Sequence, residues 1–99
     1  MYVKSVYNNM NKKIAKINQA TLHLLDELLF LQVQYSPNSF QGVHFRGIGK
    51  IKELLLLFEV KDIKDLIDKY CYVILSQELS PMIIGLQLLG VDGKEKISI

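Results

Sequence analysis

Few side chains in this sequence are spaced for bond-making chemistry. The two histidines, His23 and His44, lie far apart, with no Cys, Asp or Glu at metal-ligand spacing around either. Each reads as a structural or exposed histidine. The sole cysteine, Cys71, stands in the apolar run YCYVIL, where a thiol packs rather than reacts, and the scattered serines sit in no nucleophile motif. Asp62, Asp65 and Asp68 recur at every third position, but lysines interleave with them, the pattern of a solvated helix face rather than of an acid/base pair. The glycine spacing of a nucleotide fingerprint is absent. The expectation is a non-enzymatic protein with no metal and no cofactor.

One stretch does offer binding chemistry: FRGIGKIKELLLLFEV, residues 45–60. Gly47-Ile48-Gly49 is followed by lysines and then by a dense apolar run. Either the glycines form a turn whose backbone amides hold a phosphate, or they only bend the chain before a core helix, as turn glycines commonly do.

Residues 45–67, through Gly47-Ile48-Gly49, Leu56 and Leu57, then Ile63 and Leu66, resemble the helix-hairpin-helix family of DNA-binding motifs. In that family the hairpin's amides point at a DNA phosphate, and glycines permit the close approach. The following helix adds its positive end to the attraction. The resemblance implies backbone donors at Gly47, Ile48, Gly49 and Lys50, with charge from Arg46, Lys50 and Lys52 and no acid among residues 45–52. Such contacts position a protein on double-stranded DNA without reading sequence. Glu53 stands where the family usually has a small residue. A second segment, YSPNSFQGVHFR, is similar to part of a TATA-binding protein repeat through Tyr35, Pro37, Phe40, Gly42, Val43 and Arg46. That family is α+β and binds DNA through a curved sheet. This resemblance implies that residues 50–58 are a strand, whereas the first implies a helix.

The whole chain bounds these readings. Ninety-nine residues make one domain, spanning 1–99, with a modest core. A hydrophobic fraction of 49% and a charged fraction of 22% fit a folded protein, and the high apolar content leaves surface for a partner to cover. Net charge is +2, too balanced to imply nucleic acid from totals alone. Arg46 is the only arginine among twelve basic residues, a bias expected of an AT-rich genome such as that of a virus, phage or mollicute. No apolar run approaches the roughly 20 residues of a membrane helix, and the N-terminus lacks a signal-peptide core. An intracellular, cytoplasmic protein without a membrane partner is expected.

The elements follow from pattern. Residues 2–7, YVKSVY, read as a short strand. Ile14, Ile17, Thr21, Leu24, Leu28 and Leu31 recur at steps of three and four, a heptad seam on a helix over residues 11–32, with Leu22, Leu25 and Leu29 as a second stripe. That helix is either buried on two sides of a small core or shared between two protomers. Residues 40–46 read as a short helix or a strand. Ile51, Leu54, Leu55 and Phe58 mark a helix from Lys50 to Phe58, and Asp62 caps a third helix. YCYVIL ends that helix or forms a strand. Asp92-Gly93 is a hairpin turn that places Leu88 opposite Ile97 and Leu86 opposite Ile99. Taken together, the expected fold is α+β: a long N-terminal helix plus two further helices packed on a small antiparallel sheet with a C-terminal β-hairpin. The expected protein is a homodimer that binds DNA, or alternatively a structural homodimer that docks another protein.

Overall fold

The computed structural model describes residues 12–89 and 96–99. Its strands are β1 (Lys12–His23), β2 (Leu28–Ser36), β3 (Ser39–Arg46), β4 (Tyr70–Leu75), β5 (Ile83–Leu88) and β6 (Lys96–Ser98). One α-helix, α1 (Ile48–Leu57), follows β3, and short 3₁₀ turns occupy Leu24–Asp26 and Ile63–Leu66. All six strands join in one curled antiparallel sheet, in the order β3-β2-β1-β4-β5-β6.

This corrects the expected fold. The long N-terminal helix does not exist: residues 12–36 are a strand, a turn and a strand. Among the described residues α1 is the only α-helix, and the helix expected after Asp62 is a single 3₁₀ turn. The steps of three and four that suggested a heptad arise because leucines lie on both faces of a hairpin. In a strand, side chains alternate, so a step of three changes face. Ile17 and Leu31 are fully buried on the inner face. Ile14 is exposed on the outer face with Thr21 and the half-buried Leu28, and Leu24 sits on the turn. A β-bulge between Ile17 and Gln19 shifts the parity once more.

The inner face carries the core. Ala15 and Ile17 from β1, Leu29, Leu31 and Val33 from β2, and Val43 and Phe45 from β3 pack with Cys71, Val73 and Leu75 of β4 and Leu86 of β5. Helix α1 lies in the hollow. Its Ile51, Leu54 and Phe58, at i, i+3 and i+7, point inward, each contributing roughly 1.5–3 kcal/mol by burial. The helix touches β2 and β3 on one side and β6 on the other, so the sheet wraps round it. Leu66, from the second 3₁₀ turn, seals the space beside β1. Asp62 does cap that turn, its side chain accepting from the Lys64 amide at 3.4 Å.

At one end the curl is fastened by a side chain. Gln41 of β3 accepts a hydrogen bond from the Ile83 amide of β5 (2.6 Å) and donates to the Pro81 carbonyl (3.5 Å). These strands stand four places apart in the sheet. The helix end follows a Schellman pattern: the Val60 amide donates to Leu55, and the Glu59 amide to Leu56. Glu59 occupies the left-handed position, φ 55°, where glycine is usual.

The C-terminal pairing exists, two residues away from the expected register: Leu86 pairs with Ile97, and Gly85 with Ser98. A shift of two preserves faces, and here it joins two buried apolar residues. The Asp92-Gly93 turn and the strand expected at residues 2–7 lie outside the described residues.

Candidate nucleic-acid interface

The residues proposed to meet phosphate fall at the turn from β3 into α1. Gly47 has φ 97°, a conformation that side-chain-bearing residues rarely adopt, so this glycine is required by the turn itself. Its amide donates to the Glu27 carbonyl at 2.7 Å and is spent inside the fold. The next three amides, of Ile48, Gly49 and Lys50, open the helix. They have no carbonyl partner among the described residues, and no side chain caps them. A preceding strand, β3, stands where the helix-hairpin-helix motif has its first helix; residues 50–58, a strand in the second resemblance, are helical to Leu57.

Gly49 differs from Gly47. It is exposed, lies within the helix, and a Cβ built on it meets nothing within 4 Å. Neither conformation nor packing asks for glycine here, and alanine would favour the helix by up to about 1 kcal/mol. Adjoining these amides in sequence are Arg46 and Lys52, both exposed, and the half-buried Lys50. The Lys50 ammonium lies 4.0 Å from Glu53, which offsets part of its charge. Asp26 and Glu27 lie in the neighbouring turn, where the Glu27 carbonyl accepts from the Gly47 amide.

The sheet's outer face was not foreseen. It presents Lys12, Ile14 and Lys16 from β1, Phe30, Gln32 and Gln34 from β2, Phe40, His44 and Arg46 from β3, and Tyr70 and Tyr72 from β4. No Asp or Glu occurs in any of the six strands. Phe30 leans across β3: a Cβ on Gly42 would come within 2.5 Å of the ring, and the ring centroid is 5.1 Å from that of His44. The Lys12 ammonium sits 4.7 Å over the Tyr72 ring. Lys16 pairs with Asp68 at 3.3 Å, on the sheet's flank. An open depression of about 330 Å³ is lined by Ile14, Ala15, Lys16, Gln34, Ser36 and Tyr70. The signal for this face was present in LFLQVQYS, where apolar and amide residues alternate strictly from Leu31 to Gln34.

The other reactive candidates stay apart. Cys71 is fully buried, and burial pushes its thiol up to about 12. Both histidines are exposed on the outer sheet surface or its end, and among the described residues no three of His, Cys, Asp and Glu gather as metal ligands. None of the described helices is long and apolar enough to cross a membrane. The six residues of the expected dimer seam do not share a surface, with Ile17 and Leu31 filling the protomer's own core. Comparison with protein-family models, curated proteins and solved structures finds no match.

Proposed function

We propose that this chain is a small non-enzymatic DNA-binding protein that contacts the phosphate backbone at the start of α1, through the amides of Ile48, Gly49 and Lys50 and the side chains of Arg46, Lys50 and Lys52. The observation that carries this reading is Gly49. Its amide is the middle one of three with no partner among the described residues, next in sequence to cations, where neither conformation nor packing asks for glycine. A side chain there would stand between the amides and an approaching phosphate oxygen. Helix starts attract anions through these amides and the helix dipole.

Contacts of this kind are few, so binding is weak and strongly salt-dependent. Two or three neutralised phosphates give a log–log slope of about −2 to −3 on duplex DNA. Fluorescence anisotropy with a labelled duplex at two salt concentrations measures it. Gly49→Ala is the informative variant: it raises the melting temperature slightly yet weakens binding. Arg46→Glu and Lys50→Glu weaken it further. Absence of duplex binding at low salt, or wild-type affinity in all three variants, removes the proposal.

A second reading, a homodimer or protein-docking scaffold, is favoured by one observation. The turn between β1 and β2 exposes Leu24 at 68% and Leu25 at 100%. Adjacent exposed leucines on a tip invite a partner. Both readings are compatible, since dimerisation doubles a weak cationic patch.

A further inference from the structure

Antiparallel pairing puts Phe40, Gln34, Lys16 and Tyr70 side by side across four neighbouring strands, about 14 Å from end to end at the usual strand spacing. Phe40 and Tyr70 are 52% and 56% exposed. Between them, Gln34 is held by the Asn18 side-chain amide at 3.0 Å, and Lys16 reaches the depression beside Tyr70. One row along, Phe30 lies over Gly42 beside His44. On the other side, Tyr72 carries the Lys12 ammonium. Rings, cations and amides thus alternate over one face that has no acid in any strand, and Arg46 joins this face to the start of α1. Asp68 forms an exposed pair with Lys16, which solvent screens and a phosphate can displace, and Asp26 and Glu27 lie in the turn at the Arg46 end.

We propose that the outer sheet face is a stacking platform for unpaired nucleobases, so that the preferred ligand is single-stranded nucleic acid. The proposal rests on the nucleic-acid reading above and adds its substrate class. Exposed ring faces gain nothing from a duplex, whose bases are already stacked on each other. They do bind splayed bases, and neighbouring lysines track the phosphates. At the small end of ligand pockets, the depression next to Tyr70 has room for one base. Complementary charge selects nucleic acid over an uncharged apolar partner: Lys12, Lys16 and Arg46 lie on this face, whose strands carry no acid, with Asp68 at its flank and Asp26 and Glu27 in the turn at its end.

The test uses the full chain, a labelled oligothymidylate of about sixteen nucleotides, near the upper site size of such platforms, and the same oligomer annealed to its complement. Anisotropy reads affinity. The chain has no tryptophan and five tyrosines, so quenching of tyrosine emission reports stacking directly. Expected are single-strand binding at least about tenfold tighter than duplex binding, with tyrosine quenching, and a loss of about tenfold or more in Tyr70→Ala and in Phe40→Ala. Both side chains are largely exposed, and circular dichroism confirms that each variant melts like the wild type. Duplex affinity is unchanged in these two variants. Equal affinity for both forms, with Tyr70→Ala and Phe40→Ala binding as wild type does, overturns the platform and leaves the phosphate contact at α1 standing. No binding of either form at low salt removes both.

Discussion

Cys71 shows how a single burial sets a measurable pH dependence. The unfolded thiol ionises near 9.0, whereas the folded one keeps its proton until about 12. Unfolding therefore releases a proton in that window, so stability is complete below pH 9 and falls as pH rises through it, by at most about 1.4 kcal/mol per pH unit. Urea titrations at several alkaline pH values, run against Cys71→Ala, isolate this slope from that of the tyrosines and lysines; equal slopes in both proteins would refute the buried neutral thiol. The same burial predicts that a thiol reagent at pH 8 reacts only as fast as the chain opens, and no disulfide joins two folded chains through this residue. Glu59 makes a second prediction. Its left-handed backbone strains any residue with a Cβ, so Glu59→Gly relieves the helix end and raises the urea midpoint, a gain of about 0.5–1 kcal/mol. A lower midpoint would mean that the Glu59 side chain contributes more than its backbone costs.

Elements here are decided by pairing more than by local preference. Leucines favour helices, and the eight leucine or isoleucine positions of the β1–β2 hairpin, Ile14 to Leu31, give both a helical and an alternating pattern. The helix from Lys50 to Phe58 was legible because its apolar residues recur at i, i+3, i+4 and i+7 without a competing alternation; α1 spans Ile48–Leu57. The 3₁₀ turn after Asp62 was half legible: the cap is present, but the chain leaves the turn at Ile67 to reach β4. Closure of the curl belongs to this scale as well. Gln41→Ala leaves the Ile83 amide without its acceptor next to a buried side chain, and the expected loss is about 1–3 kcal/mol in chemical denaturation. Hydrogen exchange at Ile83 then accelerates relative to Leu86; unchanged protection would show that Gln41 does not fasten the curl.

For the molecule as a whole, one question is how the exposed leucines are covered. If the β1–β2 tip joins two protomers, light scattering across a concentration series gives a dimer mass that reverts to the monomer in Leu24→Ser/Leu25→Ser, whereas a monomeric wild type at high concentration ends the dimer reading. What the sequence did show at Arg46 to Lys52 is local: two glycines and three cations stand together with no acid among residues 45–52, a pattern open to anion binding or to a plain turn before a helix. The inertness of Cys71 in its apolar run and the helix that follows the glycines were legible as well. Sequence by itself therefore determined where charge, glycine and one helical period lie, because these are local properties of adjoining residues. Tertiary structure alone decided that residues 12–36 are strands, that Gly47 spends its amide on Glu27, and that Phe40, Lys16 and Tyr70 meet on one surface. Those outcomes depend on hydrogen bonds between separate segments, from the β1–β2 hairpin to the distant pairing of β1 with β4, and on a bulge at Asn18 that fixes which side chains face out.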